Sequence, residues 1–158
     1  MNVFALIFLI TSWICFFLGS SVFFRDTRNT LNGLFMLLSV VASYLAFMEF
    51  GNLQAQNPNI ALMALKLTGL WPIGVALLLH FVLVTTEKSK LLKNKLPYLL
   101  IYGSALAFSI LQLTTGLFTG EPVKQYWGWT YGMPDNLLMP ALLNGWAIGL
   151  AIIEVGCQ

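Results

Sequence analysis

A chain of 158 residues that is 58% hydrophobic and only 9% charged, with a mean hydropathy of +0.81, carries more apolar surface than a water-soluble domain of this size can hide. The formal net charge of +2 is too small to point to nucleic acid. The composition reads as an integral membrane protein of the all-α class, because long apolar stretches call for helices where a barrel would show short alternating segments.

The elements follow in chain order as one transmembrane domain with five spans. Span one covers residues 3–24. No basic residue precedes it and no small-residue cleavage site follows, so it reads as a span and not as a signal peptide. Arg25-Asp26-Thr27-Arg28-Asn29 closes it. Span two covers 31–50 and carries Glu49 near its end, and the loop 51–59 is polar but uncharged. Span three, 60–85, contains Lys66, Pro72 and His80. Residues 87–95 form the most basic stretch, span four covers 97–118, and a longer loop, 119–136, holds Tyr126, Trp127, Trp129 and Tyr131. Its glycines and prolines (Gly120, Pro122, Gly128, Gly132, Pro134) argue against a further helix. Span five covers 137–157. Each span has about 20 to 26 residues, enough to cross roughly 30 Å of hydrocarbon.

Lysine and arginine set the orientation. The loops after spans one and three hold Arg25, Arg28, Lys88, Lys90, Lys93 and Lys95, whereas the other side has Lys66 and Lys124. The basic loops are therefore expected in the cytoplasm, the N-terminus outside and the end of span five inside. The Tyr/Trp loop then lies outside, where amphipathic rings favour the headgroup layer. Cys15 and Cys157 read as small packing residues, with no disulfide or metal site expected.

Lipid tails are as apolar as leucine, so helices associate through close packing and a few polar contacts. Seams of small and polar residues at heptad spacing are Ser12, Cys15 and Gly19 in span one; Ser39, Ala42, Ala46 and Glu49 in span two; and Lys66, Gly69, Ile73, Ala76 and His80 in span three. Span four offers Tyr102, Ala105, Ser109, Gln112 and Gly116, and span five offers Asn144, Ala147, Ala151 and Glu154. A second face of span five, Ala141, Gly145 and Gly149, suits a close crossing. Pro72 cannot donate to the carbonyl of Thr68, so span three is expected to kink there, as a packing device or as a hinge.

An ionised side chain at mid-bilayer costs about 2.5–3.5 kcal/mol on insertion scales. Glu49, Lys66, Gln112 and Asn144 fall within about two turns of the outer surface and are expected to form one polar layer that binds a small molecule. Glu49 and Lys66 can pair within it, or Lys66 can snorkel outward. Toward the cytoplasm, His80 and Glu154 lie at similar depth and, with Pro72, are the candidate hinge and switch residues. No cofactor or metal is expected. One histidine is short of the two axial ligands a haem between helices takes. Lys66 lies too near the outer end for a retinal Schiff base, and neither a phosphate-cradling Gly-Lys-Ser loop nor a nucleophile with a partnered base is present, so no enzymatic activity is expected.

The Arg25-Asp26-Thr27-Arg28 loop, the run from Leu70-Trp71-Pro72 to Leu79-His80-Phe81, the basic loop with Pro97 opening span four, and Tyr131-Gly132-Met133-Pro134 resemble the N-terminal seven-helix sensor module of some membrane histidine kinases and diguanylate cyclases. The resemblance implies a signal-input domain in a prokaryotic cytoplasmic membrane that passes a signal to a cytoplasmic output domain or protein partner. Two of the seven helices and every output motif are missing here, so the expectation is either a piece of a longer sensor or a five-helix relative acting as a subunit. The competing reading is a structural or accessory subunit of a larger membrane complex, docked through its small-residue faces.

Overall fold

Three asparagines start the first three helices. The Asn2 side chain accepts from the Phe4 amide, Asn29 from Leu31 and Asn57 from Ile60, each satisfying a donor that the first helical turn leaves unpaired. In the computed structural model, which describes residues 2–86, 95–134 and 136–156 (without the side chains of Lys95 and of 153–156), they open α1 (Val3–Arg25), α2 (Thr30–Gln54) and α3 (Pro58–Leu67). A 3-10 turn, Thr68–Leu70, leads into α4 (Trp71–Thr85), followed by α5 (Lys95–Thr114), β1 (Gly120–Gln125), β2 (Gly128–Gly132) and α6 (Leu138–Gly156). Most of the basic stretch, residues 87–94, lies outside the described residues.

Four helical stretches are long and apolar enough to cross a membrane: Val3–Arg25, Thr30–Gln54, Pro58–Thr85 and Leu96–Thr114. A fifth apolar helix, Leu138–Ile152, is shorter within the described residues. These helices are compatible with a membrane location, and their outward faces carry Trp13, Phe17, Leu99, Ile148 and Ile152.

The architecture is mostly helical rather than wholly so. The Tyr/Trp loop forms an antiparallel hairpin in which Gln125 pairs with Gly128 across Tyr126 and Trp127, with an irregular step between Gly120 and Val123. Val123, Trp129, Thr130 and Tyr131 suit a pleated surface, and Gly128 takes a φ of +137° that side-chain-bearing residues rarely adopt. α2 also runs past residue 50 to Gln54, which places Asn52 inside a helix, 1% exposed, instead of in a loop.

α1 packs along α2 through Ser12, Gly19 and Ser39 of the expected seams, joined by Ser43, which is not among them. Gly19 is buried against Ser39, and the hydroxyls of Ser12 and Ser43 meet at 3.0 Å. α2 also packs on α4, with Phe35 and Phe81 rings 6.4 Å apart at one end and Val41 against Gly74 further along. The end that holds Arg25 and Arg28 is therefore also the end where α4 stops, opposite the hairpin. Ala76, Leu79, Leu83, Ile101 and Ala105 form a core between α4 and α5, joined by Trp146 and Leu150 of α6.

The seam expected for span five is corrected. α6 turns Leu143, Trp146 and Leu150 inward, and the Trp146 indole N–H donates to Ser104 Oγ at 3.0 Å. Asn144 and Ala151 consequently face outward, and a Cβ added at Gly145 or Gly149 would meet nothing within 4 Å. Large aromatic and aliphatic groups fill the space beside α4 better than the small residues do. Ala42 and Gly116 likewise point outward, and Gly116 falls beyond the end of α5.

Candidate functional site

The hairpin is clamped onto one end of the bundle. Asn2 donates its amide to the Trp127 carbonyl, Asn52 donates to the Trp129 carbonyl at 2.9 Å, and the Trp129 indole donates to the Ala55 carbonyl at 2.8 Å. The Lys124 ammonium sits 5.7 Å from the centre of the Trp129 ring, a cation–π distance. This grip directs the Tyr131 hydroxyl at the helices. It lies 2.7 Å from Thr68 Oγ1 and donates to Glu49 Oε1 at 3.1 Å. Glu49 Oε2 faces the Asn52 amide at 3.5 Å. Burial pushes the Tyr131 hydroxyl up to about 12; the neighbouring Glu49 carboxylate reinforces the shift and the Thr68 hydrogen bond opposes it.

Beneath this contact lies a crevice of about 360 Å³. Its polar wall is Glu49, Thr68 and Tyr131, with Thr11 at the edge. Its apolar wall is Ile7 and Phe8 of α1, Leu45 and Ala46 of α2, and Trp71 at the start of α4. The size and the ratio of apolar to polar lining suit a small molecule, whose sites span roughly 300–1,000 Å³.

At Pro72, where a kink is expected, the structure shows a 3-10 turn. With no amide hydrogen at residue 72, the Thr68 carbonyl is satisfied instead by the Trp71 N–H. The helix therefore tightens over Thr68–Leu70, one step ahead of the proline, and presents the Thr68 side chain to Tyr131.

Of the four residues expected to form one ligand layer, only Glu49 lines the crevice. Glu49 and Lys66 do not pair: Glu49 turns to Tyr131 and Asn52, while Lys66 lines a separate hollow with Asn59, Met63 and Leu113. Gln112 is buried on the far side of the 3-10 turn, its side chain against Gly69 and its carbonyl oxygen unpaired. Asn144 is exposed on α6 and lines none of these surfaces. Each reaches a different surface: Glu49 the crevice, Lys66 the hollow beside Leu113, Gln112 the buried contact with Gly69, and Asn144 the exposed side of α6.

At the opposite end, His80 Nδ1 lies 2.8 Å from the Tyr102 hydroxyl and Nε2 lies 3.4 Å from that of Tyr98. The two tyrosine rings stack on each other and meet the imidazole edge-on. Both ring nitrogens thus face α5. The expected partner Glu154 has a side chain outside the described residues.

Thr68, Trp71, Asn52 and Tyr131 are the site residues that sequence reasoning missed. The available signals were an aromatic loop and a polar residue beside the break. No local pattern links residue 131 to residues 49 and 68. No protein-family model, curated protein or solved structure matches the chain.

Proposed function

We propose that this chain is a membrane-embedded signal-input domain, itself non-catalytic, that passes a signal to a cytoplasmic output domain or protein partner. In this reading all five helices span a prokaryotic cytoplasmic membrane, with the N-terminus and hairpin outside and the end of α6 inside. The resemblance to the sensor modules of histidine kinases and diguanylate cyclases points the same way. One observation carries the proposal: the crevice wall joins α2, the hairpin and the 3-10 break, so an occupant touches the place where α3 and α4 are least regular.

An occupant that prefers one arrangement of the break shifts its population, by no more than its differential affinity for the two states. At 1.5 Å per residue, the 15 residues of α4 carry a change in angle across about 22 Å. His80 then transmits it to α5 through Tyr98 and Tyr102.

The test uses spin labels at Thr27→Cys and Thr86→Cys, both at the end opposite the hairpin, on a background with the native cysteines replaced by serine. Distances are compared in vesicles between the parent, the plugged variant Thr11→Phe and the straightened variant Pro72→Ala. A shifted distance distribution in the variants is expected. Identical distributions in all three refute the signal-input reading.

The accessory-subunit reading draws support from a different observation. Asn144, Gly145 and Ala141 lie exposed on α6 with no described residue covering them. A parent chain that runs as a monodisperse monomer in mild detergent counts against it.

A further inference from the structure

The two hydroxyls of the crevice wall have more acceptors within reach than protons to give. Thr68 Oγ1 donates to the Leu65 carbonyl at 2.6 Å, and Tyr131 donates to Glu49 Oε1 at 3.1 Å. Each hydroxyl has a single proton, and the two hydroxyl oxygens also lie 2.7 Å apart, where either can donate. Three close oxygen–oxygen contacts thus share two protons. The wall is rich in acceptors and short of donors.

It is also short of positive charge. Among the described residues no lysine or arginine lines the crevice: Lys66 belongs to another hollow and Lys124 lies over Trp129. The carboxylate of Glu49 is half-buried with neutral hydrogen-bond partners only.

The rest of the crevice is apolar and opens sideways. α1 packs along α2, leaving a gap toward α4 in which Ile7 is 56% and Phe8 38% exposed.

We infer that the crevice binds a lipophilic amine, a single apolar chain bearing a protonated primary amine, that enters laterally from the bilayer. The ammonium offers three N–H donors and a positive charge to Glu49, Tyr131 and Thr68, and the chain lies along Phe8, Leu45 and Trp71. A carboxylate head would add acceptors and a second negative charge to a wall that already has both. The inference rests on reading this crevice as the input site, but binding and signalling are measured separately.

The full chain is reconstituted in phosphatidylcholine nanodiscs and titrated with 12-bromododecylamine, whose bromine quenches tryptophan fluorescence. Subtracting the Trp71→Phe variant isolates the signal of the residue in the wall. Saturable quenching of Trp71 is expected, displaced by dodecylamine and about tenfold less effectively by dodecyltrimethylammonium, which keeps the charge but has no N–H. Glu49→Gln is expected to weaken binding about tenfold or more. Thr11→Phe, on the exposed side of α1 where it leaves the core intact, is expected to block binding.

Quenching that is absent, that survives in both variants, or that dodecanoate displaces as well as dodecylamine overturns the inference. If the amine binds while the Thr27–Thr86 distance stays fixed, the ligand class stands and the signal-input reading falls. If the distance responds to plugging while no amine binds, the reverse holds.

Discussion

Gly19→Ala puts two opposed effects into one methyl group. On propensity alone, alanine in a helix interior is better than glycine by about 0.8–1 kcal/mol. The packing of α1 on α2 opposes this. A Cβ at residue 19 would overlap Ser39 Cβ, and it would lie 2.8 Å from Ser39 Oγ and 3.2 Å from Met36 Sδ. The methionine can swing aside, but Ser39 Cβ is anchored to the α2 backbone. Overpacking of this kind costs about 1–3 kcal/mol, so the expected result is a net loss of up to about 2 kcal/mol despite the gain in propensity.

The assay is reversible unfolding in mixed micelles, with Gly145→Ala as control, since a Cβ there meets nothing within 4 Å. The control is expected to be neutral or stabilising and Gly19→Ala destabilising. Ser39→Gly, which removes the obstructing atoms, should rescue Gly19→Ala in a double-mutant cycle with a coupling of about 1 kcal/mol or more. Equal effects at residues 19 and 145, or no rescue, would refute the packing argument.

Gly128→Ala should loosen the hairpin. It forces φ +137° on a residue with a side chain, at about 1–3 kcal/mol, and brings a Cβ to 2.7 Å from Leu53 Cδ2 and 3.0 Å from Leu53 Cα; proteolysis between Gly120 and Gly132 should accelerate while the helical signal is kept. Tyr131→Phe should delete, from an alkaline absorbance titration, a tyrosine that ionises near 12 instead of near the ordinary 10. The sign follows from the raised folded value: the stabilisation is fully present below about pH 10 and is lost as pH rises toward 12, so loss of a residue titrating at 10 would contradict the raised value. Trp146→Phe removes the donor to Ser104 while keeping an aromatic ring beside Phe108, and should cost about 0.5–1.5 kcal/mol in the same micelle assay; a stabilised variant would mean that α6 does not dock by this bond.

Composition and spacing alone were enough for the helical, membrane-compatible class and for the break in the third long stretch. Both rest on local chemistry: runs of apolar residues must be helical where water is excluded, and a proline removes its own amide wherever it stands. The small residues that bring α1 onto α2 were legible for the same reason, because Ser12, Gly19 and Ser39 allow a close approach that larger side chains forbid. The hairpin, the rotation of α6 and the partner of Glu49 were decided only by tertiary structure. α1, α2 and α4 are apolar nearly all round, so they carry no stripe that tells an inward face from an outward one. Asn144 and Gln112 have similar depth in the sequence, yet Gln112 became buried and Asn144 exposed, because the fit of Leu143 and Trp146 beside α4 set the rotation of α6. Glu49 met Tyr131 across 82 residues only because the hairpin is held by Asn2, Asn52 and Ala55, and such an encounter leaves no trace in local spacing.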